Sequence, residues 1–194
     1  MKHPSTYQLF EYWNERRGQR LLPRRDDIEP EAIRSVLADT FILSFEPSFG
    51  YPVRVAGTRV CALFGREIKG EAFLDVFCTH SRLEVTDLIC CMAEESVGVV
   101  ASAHEQACDA RTGSFELLLL PLSLAAARMA RVLGALVPAD LGAWQQRRRL
   151  ADLVLGSYRF VGLRSPALIS DSLRQRPIIR RFVVYEGGQT RIPS

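Results

Sequence analysis

The chain has 194 residues, of which 47% are hydrophobic and 24% are charged, and its formal net charge is +3. This length favours one domain with extensions, and the composition is typical of a soluble globular protein. The longest apolar runs are too short to span a bilayer, and the N-terminus lacks the apolar region of a signal peptide. We therefore expect a cytoplasmic protein without membrane insertion. The five cysteines form no CxxC pair, which favours reduced thiols over a disulfide framework.

The charge is unevenly distributed along the chain. Residues 141–194 carry a net charge of +7, whereas residues 1–140 carry a net charge of −4. An arginine-rich segment can bind nucleic acid, but little aromatic interleaving accompanies these arginines. A solvated surface is the expected role, and nucleic acid is not an expected partner. The arginines concerned are Arg147 to Arg149, Arg174, Arg176, Arg180 and Arg181.

The N-terminal part is predicted to be helical. Ser5 to Arg17 has an amphipathic pattern, and Gly18 ends this helix. The apolar face carries Leu9, Phe10 and Trp13. A charged linker follows, and a second short helix is predicted to begin near Pro30, because proline suits the first helical position. We assign residues 1–38 to an N-terminal helical cap.

Residues 39–139 predict a core of five strands, with helices between the second and the third. The strands are predicted at Thr40 to Glu46, Tyr51 to Ala56, Val99 to Cys108, Ser114 to Leu122 and Met129 to Val137. The short turns between the last three strands favour antiparallel neighbours. A short helix from Thr58 ends at Gly65, and a long helix runs from Ser81 to about Ser96. The inner face of the sheet is predicted to carry Phe41, Val55, Leu117, Leu119 and Leu133.

The pattern changes after Pro138, and residues 140–194 are assigned to a basic C-terminal extension. Within it, Trp144 to Gly156 has apolar residues at helical spacing and predicts a helix. One strand-like patch follows at Phe182 to Tyr185.

The stretch Tyr51 to Phe73 resembles the strand, short helices and glycine pair of a PAS domain. With its flanks, it is similar to a family of stand-alone, mostly alphaproteobacterial PAS-like proteins. The matching residues are Trp13, Gly18, Pro23, Arg25, Asp27, Ile28, Pro30, Arg54, Ala56, Gly57, Thr58, Phe64, Gly65, Arg66, Glu67, Gly70, Phe73, Leu120, Pro121 and Leu122. The resemblance covers roughly residues 10 to 140. It implies an α+β fold, with a five-stranded antiparallel sheet and helices on one face, and a bacterial sensory or regulatory module.

Such folds often leave an apolar cavity between sheet and helices, which would suit a small hydrophobic or planar molecule. The candidate lining residues are Val60, Phe64, Phe77, Leu88, Met92 and Phe115. Arg54 is a further candidate, which could bind an anionic group at the mouth of the pocket. The alternative for Arg54 is a surface ion pair, which stabilises a protein little.

No cofactor is predicted. A haem-binding PAS domain needs an axial histidine that faces the cavity, and His104 in a strand is the candidate; a surface histidine is the alternative. The flavin-binding light sensors use a cysteine inside an asparagine-containing motif, and the sequence around Cys61 lacks this motif. Cys78 and His80 are only two candidate ligands, whereas a zinc site uses four.

The sequence contains no GxSxG, phosphate loop or HExxH motif, so nothing in it supports an enzyme. We expect a signalling module that forms a homodimer or binds a protein partner through the N-terminal helix and the outer face of the sheet. The expected anchors are Leu9, Phe10 and Trp13. A sensor with a small hydrophobic ligand is the second hypothesis. A cofactor-based sensor and a nucleic-acid-associated regulator acting through the arginine-rich segment are the alternatives.

Overall fold

The computed structural model describes residues 1–106, 113–124, 129–139, 150 and 152–162. These residues form three α-helices, four short 3-10 turns and six β-strands. The helices are α1 (Pro4–Arg17), α2 (Thr58–Phe64) and α3 (Thr79–Glu95). The strands are β1 (Thr40–Ser44), β2 (Val53–Ala56), β3 (Gly98–Glu105), β4 (Ser114–Ser123), β5 (Met129–Pro138) and β6 (Leu153–Val161). None of these helices is long and apolar enough to cross a membrane.

The strands form one sheet in the order β2-β1-β5-β4-β3-β6, and every neighbouring pair is antiparallel. The predicted α+β fold is confirmed, but the sheet has six strands instead of five. The additional strand β6 comes from the predicted C-terminal extension and pairs with β3. The helix predicted up to Gly156 is therefore wrong from Leu153 onward, because this segment pairs along the edge of β3. Residues 144–149 and the patch at 182–185 lie outside the described residues.

One face of the sheet, called here the inner face, packs against α3 and against the segment that precedes it. Directly paired residues on neighbouring strands share a face, so Phe41, Gly134 and Leu119 lie together on the inner face. A Cβ at Gly134 would lie 2.2 Å from the Phe41 ring, so only glycine leaves room for this ring. The Phe41 ring stacks on Phe73, at a centroid distance of 5.1 Å, and Phe73 meets Phe77 edge to face.

The opposite, outer face carries α1, the predicted N-terminal cap, which packs on β4 and β5. Val55 and Leu133 both pair with Ile42, the residue after Phe41, and therefore lie on this outer face. Their predicted place on the inner face is wrong. Because α1 covers part of the outer face, Leu133 is buried there, whereas Val55 at the edge is 48% exposed.

The helix ends follow local chemistry. α2 ends at Gly65, which adopts the left-handed conformation with φ 63°, as its position predicted. α1 begins one residue earlier than predicted, and the imidazole Nδ1 of His3 accepts a hydrogen bond from the Ser5 backbone. The predicted helix near Pro30 is instead a series of turns ending in the 3-10 turn Leu37–Asp39, because the chain there follows the surface of α1.

Candidate functional site

The predicted pocket residues lie on α2, on α3, in the segment between these helices and on β4. All of them are buried and belong to one contiguous hydrophobic cluster. They are Val60, Phe64, Phe77, Leu88, Met92 and Phe115. The rings of Phe41 and Phe73, which the pocket prediction omitted, stack on one another in the same cluster. This part of the chain is therefore an aromatic-rich, apolar region.

Arg54 does not belong to this region. Its guanidinium pairs with Glu46 at 2.7 Å and donates to the Ser44 hydroxyl at 2.5 Å. Ser44 pairs with Arg131 and lies on the outer face, so Arg54 is directed away from the core. The hydrogen bond from Arg54 holds the pKa of Glu46 below its ordinary value. The prediction of Arg54 at the pocket mouth is thus corrected to the alternative, a surface ion pair.

Tyr51 brings a polar group to the edge of the apolar core, a feature that the sequence pattern does not indicate. Its side chain is fully buried, and its backbone has a φ of 60°, which is uncommon for a residue with a side chain. The hydroxyl lies 3.7 Å from the Cys90 sulfur on α3. Burial, and then the contact with Cys90, raises the pKa of Tyr51 above its ordinary value. This tyrosine therefore stays protonated and can act as a hydrogen-bond donor.

The three expected interface anchors on α1 take different positions. Leu9 and Trp13 are fully buried in the chain's own core. The indole Nε1 of Trp13 donates to the Pro121 carbonyl at 2.9 Å, and the Arg17 guanidinium lies 4.7 Å from the indole centroid. Only Phe10 keeps partial exposure. The assignment of Leu9 and Trp13 to an intermolecular interface is corrected, because the sheet of the same chain already covers both side chains.

Glu116 on β4 fixes the start of α1. Its carboxylate accepts hydrogen bonds from the backbone N–H groups of Lys2 and His3, at 2.7 and 3.2 Å, and from the Thr6 hydroxyl. Partial burial opposes ionisation, but the hydrogen bonds from Thr6, Lys2 and His3 outweigh it. The pKa of Glu116 is consequently lower than that of an ordinary glutamate.

Asp39 joins α1 to α2. It lies at the end of the 3-10 turn before β1 and is 5% exposed. The Asp39 carboxylate accepts a hydrogen bond from the Ser5 hydroxyl of α1 at 2.9 Å. The same carboxylate accepts two from Arg59 of α2, from Nε at 2.5 Å and from Nη2 at 2.7 Å. These hydrogen bonds to Asp39 raise the pKa of Arg59.

Comparison with known proteins identifies the family. The model of the PAS domain family matches residues 1–137, which is more than half of the chain. The chain belongs to the PAS domain family. A solved structure of an RNA-binding Light-Oxygen-Voltage receptor is similar to it, with 15% identity and a TM-score of 0.44. The similarity covers 60% of this chain and 34% of the receptor chain, so this chain spans about a third of that protein. The search of curated proteins found no match.

The cofactor candidates of this PAS domain are not brought together in the core. His104 pairs with Ser114 between the inner-face residues Ala103 and Glu105, so it lies on the outer face, where it is exposed. The Cys61 thiol contacts Glu67 at 3.5 Å, and burial raises its pKa. Among the described residues, no group of three or more His, Cys, Asp or Glu side chains could hold a metal ion.

Proposed function

We propose that this PAS domain is a cytoplasmic sensory module that binds a small apolar or planar molecule between the inner face and the helices α2 and α3. The observation that supports this function best is that all six predicted lining residues are buried in the hydrophobic core. Membership of the PAS family places the chain among sensory and regulatory modules. In this proposal the chain performs no catalysis of its own, and its response leaves by contact with a partner.

The surroundings of the core define the chemistry of the proposed ligand. Stacked aromatic rings such as Phe41 and Phe73 favour a flat apolar molecule, which can insert between side chains with little desolvation cost. Tyr51 offers one hydroxyl donor at the edge of the core. A ligand with a single hydrogen-bond acceptor and a hydrophobic body would satisfy both features.

Native mass spectrometry of the purified chain tests the ligand directly. We expect an additional small mass that dissociates on denaturation, and a rise in melting temperature when planar hydrophobic compounds are added. Met92→Phe adds volume to the buried core and should weaken binding, with circular dichroism as the check of folding. The matched control is Leu83→Phe, because Leu83 lies on the same helix and is 74% exposed. A bare protein whose melting temperature no compound changes would contradict ligand sensing.

A second function, homodimerisation or binding of a protein partner, is favoured by the exposed side of α1. Tyr7 is 57% exposed and Phe10 is partly exposed, and residues three apart are neighbours on a helix surface. We expect replacement of both by serine to reduce association in analytical ultracentrifugation, because aromatic side chains often dominate interfaces. Glu11→Ala, at an exposed position of the same helix, serves as the control. A wild-type chain that sediments as a monomer at every concentration and captures no partner would contradict this function.

A further inference from the structure

The carboxylate of Asp39 is hydrogen-bonded to two helices, α1 on the outer face of the sheet and α2. It accepts a hydrogen bond from Ser5 of α1, on the outer face, and two from Arg59 of α2, on the side of the core. Asp39 immediately precedes β1, so these hydrogen bonds join α1 and α2 beside the start of this strand. A single buried side chain therefore connects the proposed sensing region to the helix on the outer face.

We propose that Asp39 and Arg59 form a latch that couples the position of α2 to the docking of α1 on the outer face. The proposal deepens the proposed function and rests on it for its biological meaning, because it names the route by which a change in the core reaches the surface. The coupling itself belongs to the ligand-free chain and can be measured there.

Two contacts make the connection between α2 and Asp39 stiff. The guanidinium of Arg59 meets the carboxylate through two hydrogen bonds, a geometry that is lost on a small displacement. Next to this pair, a Cβ at Gly57 would lie 2.4 Å from the carbonyl oxygens of Leu37 and Ala38. The start of α2 and the turn that carries Asp39 are thus in close backbone contact. A shift of α2 is therefore expected to move the Asp39 turn with it.

In this proposal, a ligand acts on the side of α2 that faces the core. Val60 and Phe64 are buried in the apolar core, whereas the neighbouring Arg59 side chain is more than half exposed and directed to Asp39. We expect a molecule that enters the core beside α2 to displace Val60 or Phe64, because both side chains are buried there. That displacement is expected to strain the Arg59–Asp39 pair, because Arg59 moves with α2 whereas Asp39 lies on a separate turn directly before β1.

Loss of the Arg59–Asp39 pair is expected to loosen the start of α1. Without Arg59, the buried carboxylate of Asp39 keeps one side-chain hydrogen-bond donor among the described residues, the Ser5 hydroxyl. A buried charge with too few partners is unfavourable, so the Asp39 turn would rearrange towards water. The Ser5 hydroxyl would then lose its acceptor on Asp39, whereas the hydrogen bonds of the first residues to Glu116 would remain. Loosening of α1 follows from these steps without any contact between α1 and a ligand.

Hydrogen exchange of the ligand-free full chain measures the coupling. We expect Arg59→Ala to raise the exchange rates of amides in the first turns of α1 by about 5- to 150-fold, the range typical of coupled sites. The matched control is Arg66→Ala. It removes an exposed ion pair with Glu71, in which Nη2 lies 2.8 Å from the carboxylate and which does not involve α1. Because coupling is reciprocal, Ser5→Ala should also raise the exchange of amides in α2. Its control is Gln8→Ala, which breaks a bond from α1 to Ser35 only.

The exchange rates distinguish coupling between α2 and α1 from a local effect and from global unfolding. If Arg59→Ala raises exchange in α2 alone and α1 behaves as in Arg66→Ala, the latch is refuted. Should Arg59→Ala increase exchange throughout β4 and β5, the chain has unfolded globally. Arg59→Lys then decides, because it keeps the charge and loses the two-point geometry. An unchanged α1 in Arg59→Lys, beside a faster α2, would equally overturn the proposal. Native mass spectrometry of the wild type reports on the ligand independently, so a missing ligand and a missing latch are distinguishable.

Discussion

Replacement of Trp13 is the sharpest test of the role of α1. The indole is fully buried, and its Nε1 donates to the Pro121 carbonyl. Truncation of such a side chain to alanine costs about 3–5 kcal/mol of the free energy of unfolding. A domain of this kind is stable by only about 5–15 kcal/mol, so Trp13→Ala removes a large part of the total. Trp13→Phe keeps most of the apolar area but leaves the Pro121 carbonyl without its donor, which costs about 1–3 kcal/mol.

Urea unfolding at constant protein concentration, followed by far-ultraviolet circular dichroism, measures both changes as shifts of the midpoint. Tyr7→Ala on the exposed side of the same helix is the control and should stay within about 0.5 kcal/mol of the wild type. The reasoning would be refuted if Trp13→Ala unfolded at the wild-type midpoint while its oligomeric state changed. That result would mean that Trp13 contacts a second chain, as the sequence pattern alone suggested.

Three further predictions concern stability. Gly134→Ala should cost about 1–3 kcal/mol in urea unfolding because the new methyl group overlaps the Phe41 ring, and Phe41→Leu in the same chain should recover part of this loss. The folded pKa of Glu116 lies below its unfolded value of about 4.5, so its stabilising contribution is present above that pH and is lost as the pH falls through the folded pKa. Glu116→Gln should therefore flatten the acid side of the stability curve, and an unchanged curve would contradict the assignment. The folded pKa of Tyr51 is raised, so its contribution is full below the unfolded pKa near 10 and is lost as the pH rises. Tyr51→Phe should remove this alkaline slope, as urea midpoints at increasing pH would show.

Features that depend on neighbouring residues were predictable from the sequence. α2 and its end at Gly65 follow from a short apolar period and a glycine that reaches the left-handed conformation. The buried stripe of α3 appears where the 3.6-residue period places it. The stripe consists of Val85, Leu88, Ile89 and Met92. In both helices, the sequence interval that carries the signal is shorter than five residues, so no distant contact was needed.

The assignment of residues to the two faces of the sheet was only partly predictable. A period of two separates the faces when one of them is exposed to water, but β4 is buried on both sides. Leu117, Leu118, Leu119 and Leu120 are all buried, so their order gives no register. β5 is likewise buried on both sides from Val132 to Pro138, which explains why the sequence pattern predicts the wrong face for Leu133. The position of α1 on the outer face determines the register, and the contact between α1 and β4 joins residues more than one hundred positions apart.

The strand β6 shows how pairing with a neighbouring strand decides between helical and strand spacing of apolar residues. Leu150, Leu153 and Val154 have helical spacing, whereas Leu153 and Leu155 have the spacing of a strand. The sequence cannot rank these patterns, because both bury apolar side chains. The free edge of β3 favours the strand, since its backbone N–H and C=O groups gain partners from β6. The backbone of Cys78 and the hydroxyl of Ser81 also bond to β6, which ties this strand to the start of α3.

The same reasoning explains why the sequence pattern of α1 predicts an intermolecular interface. An amphipathic helix shows that an apolar surface must be covered, but it does not show which chain provides the cover. Here the cover is the outer face of the same chain, and the carboxylates of Glu116 and Asp39 bind the start of α1 there. Of these two, Asp39 also binds α2, through Arg59. If the module transmits a signal from its core to α1, Asp39 is a point among the described residues at which a side chain can carry it past the start of β1.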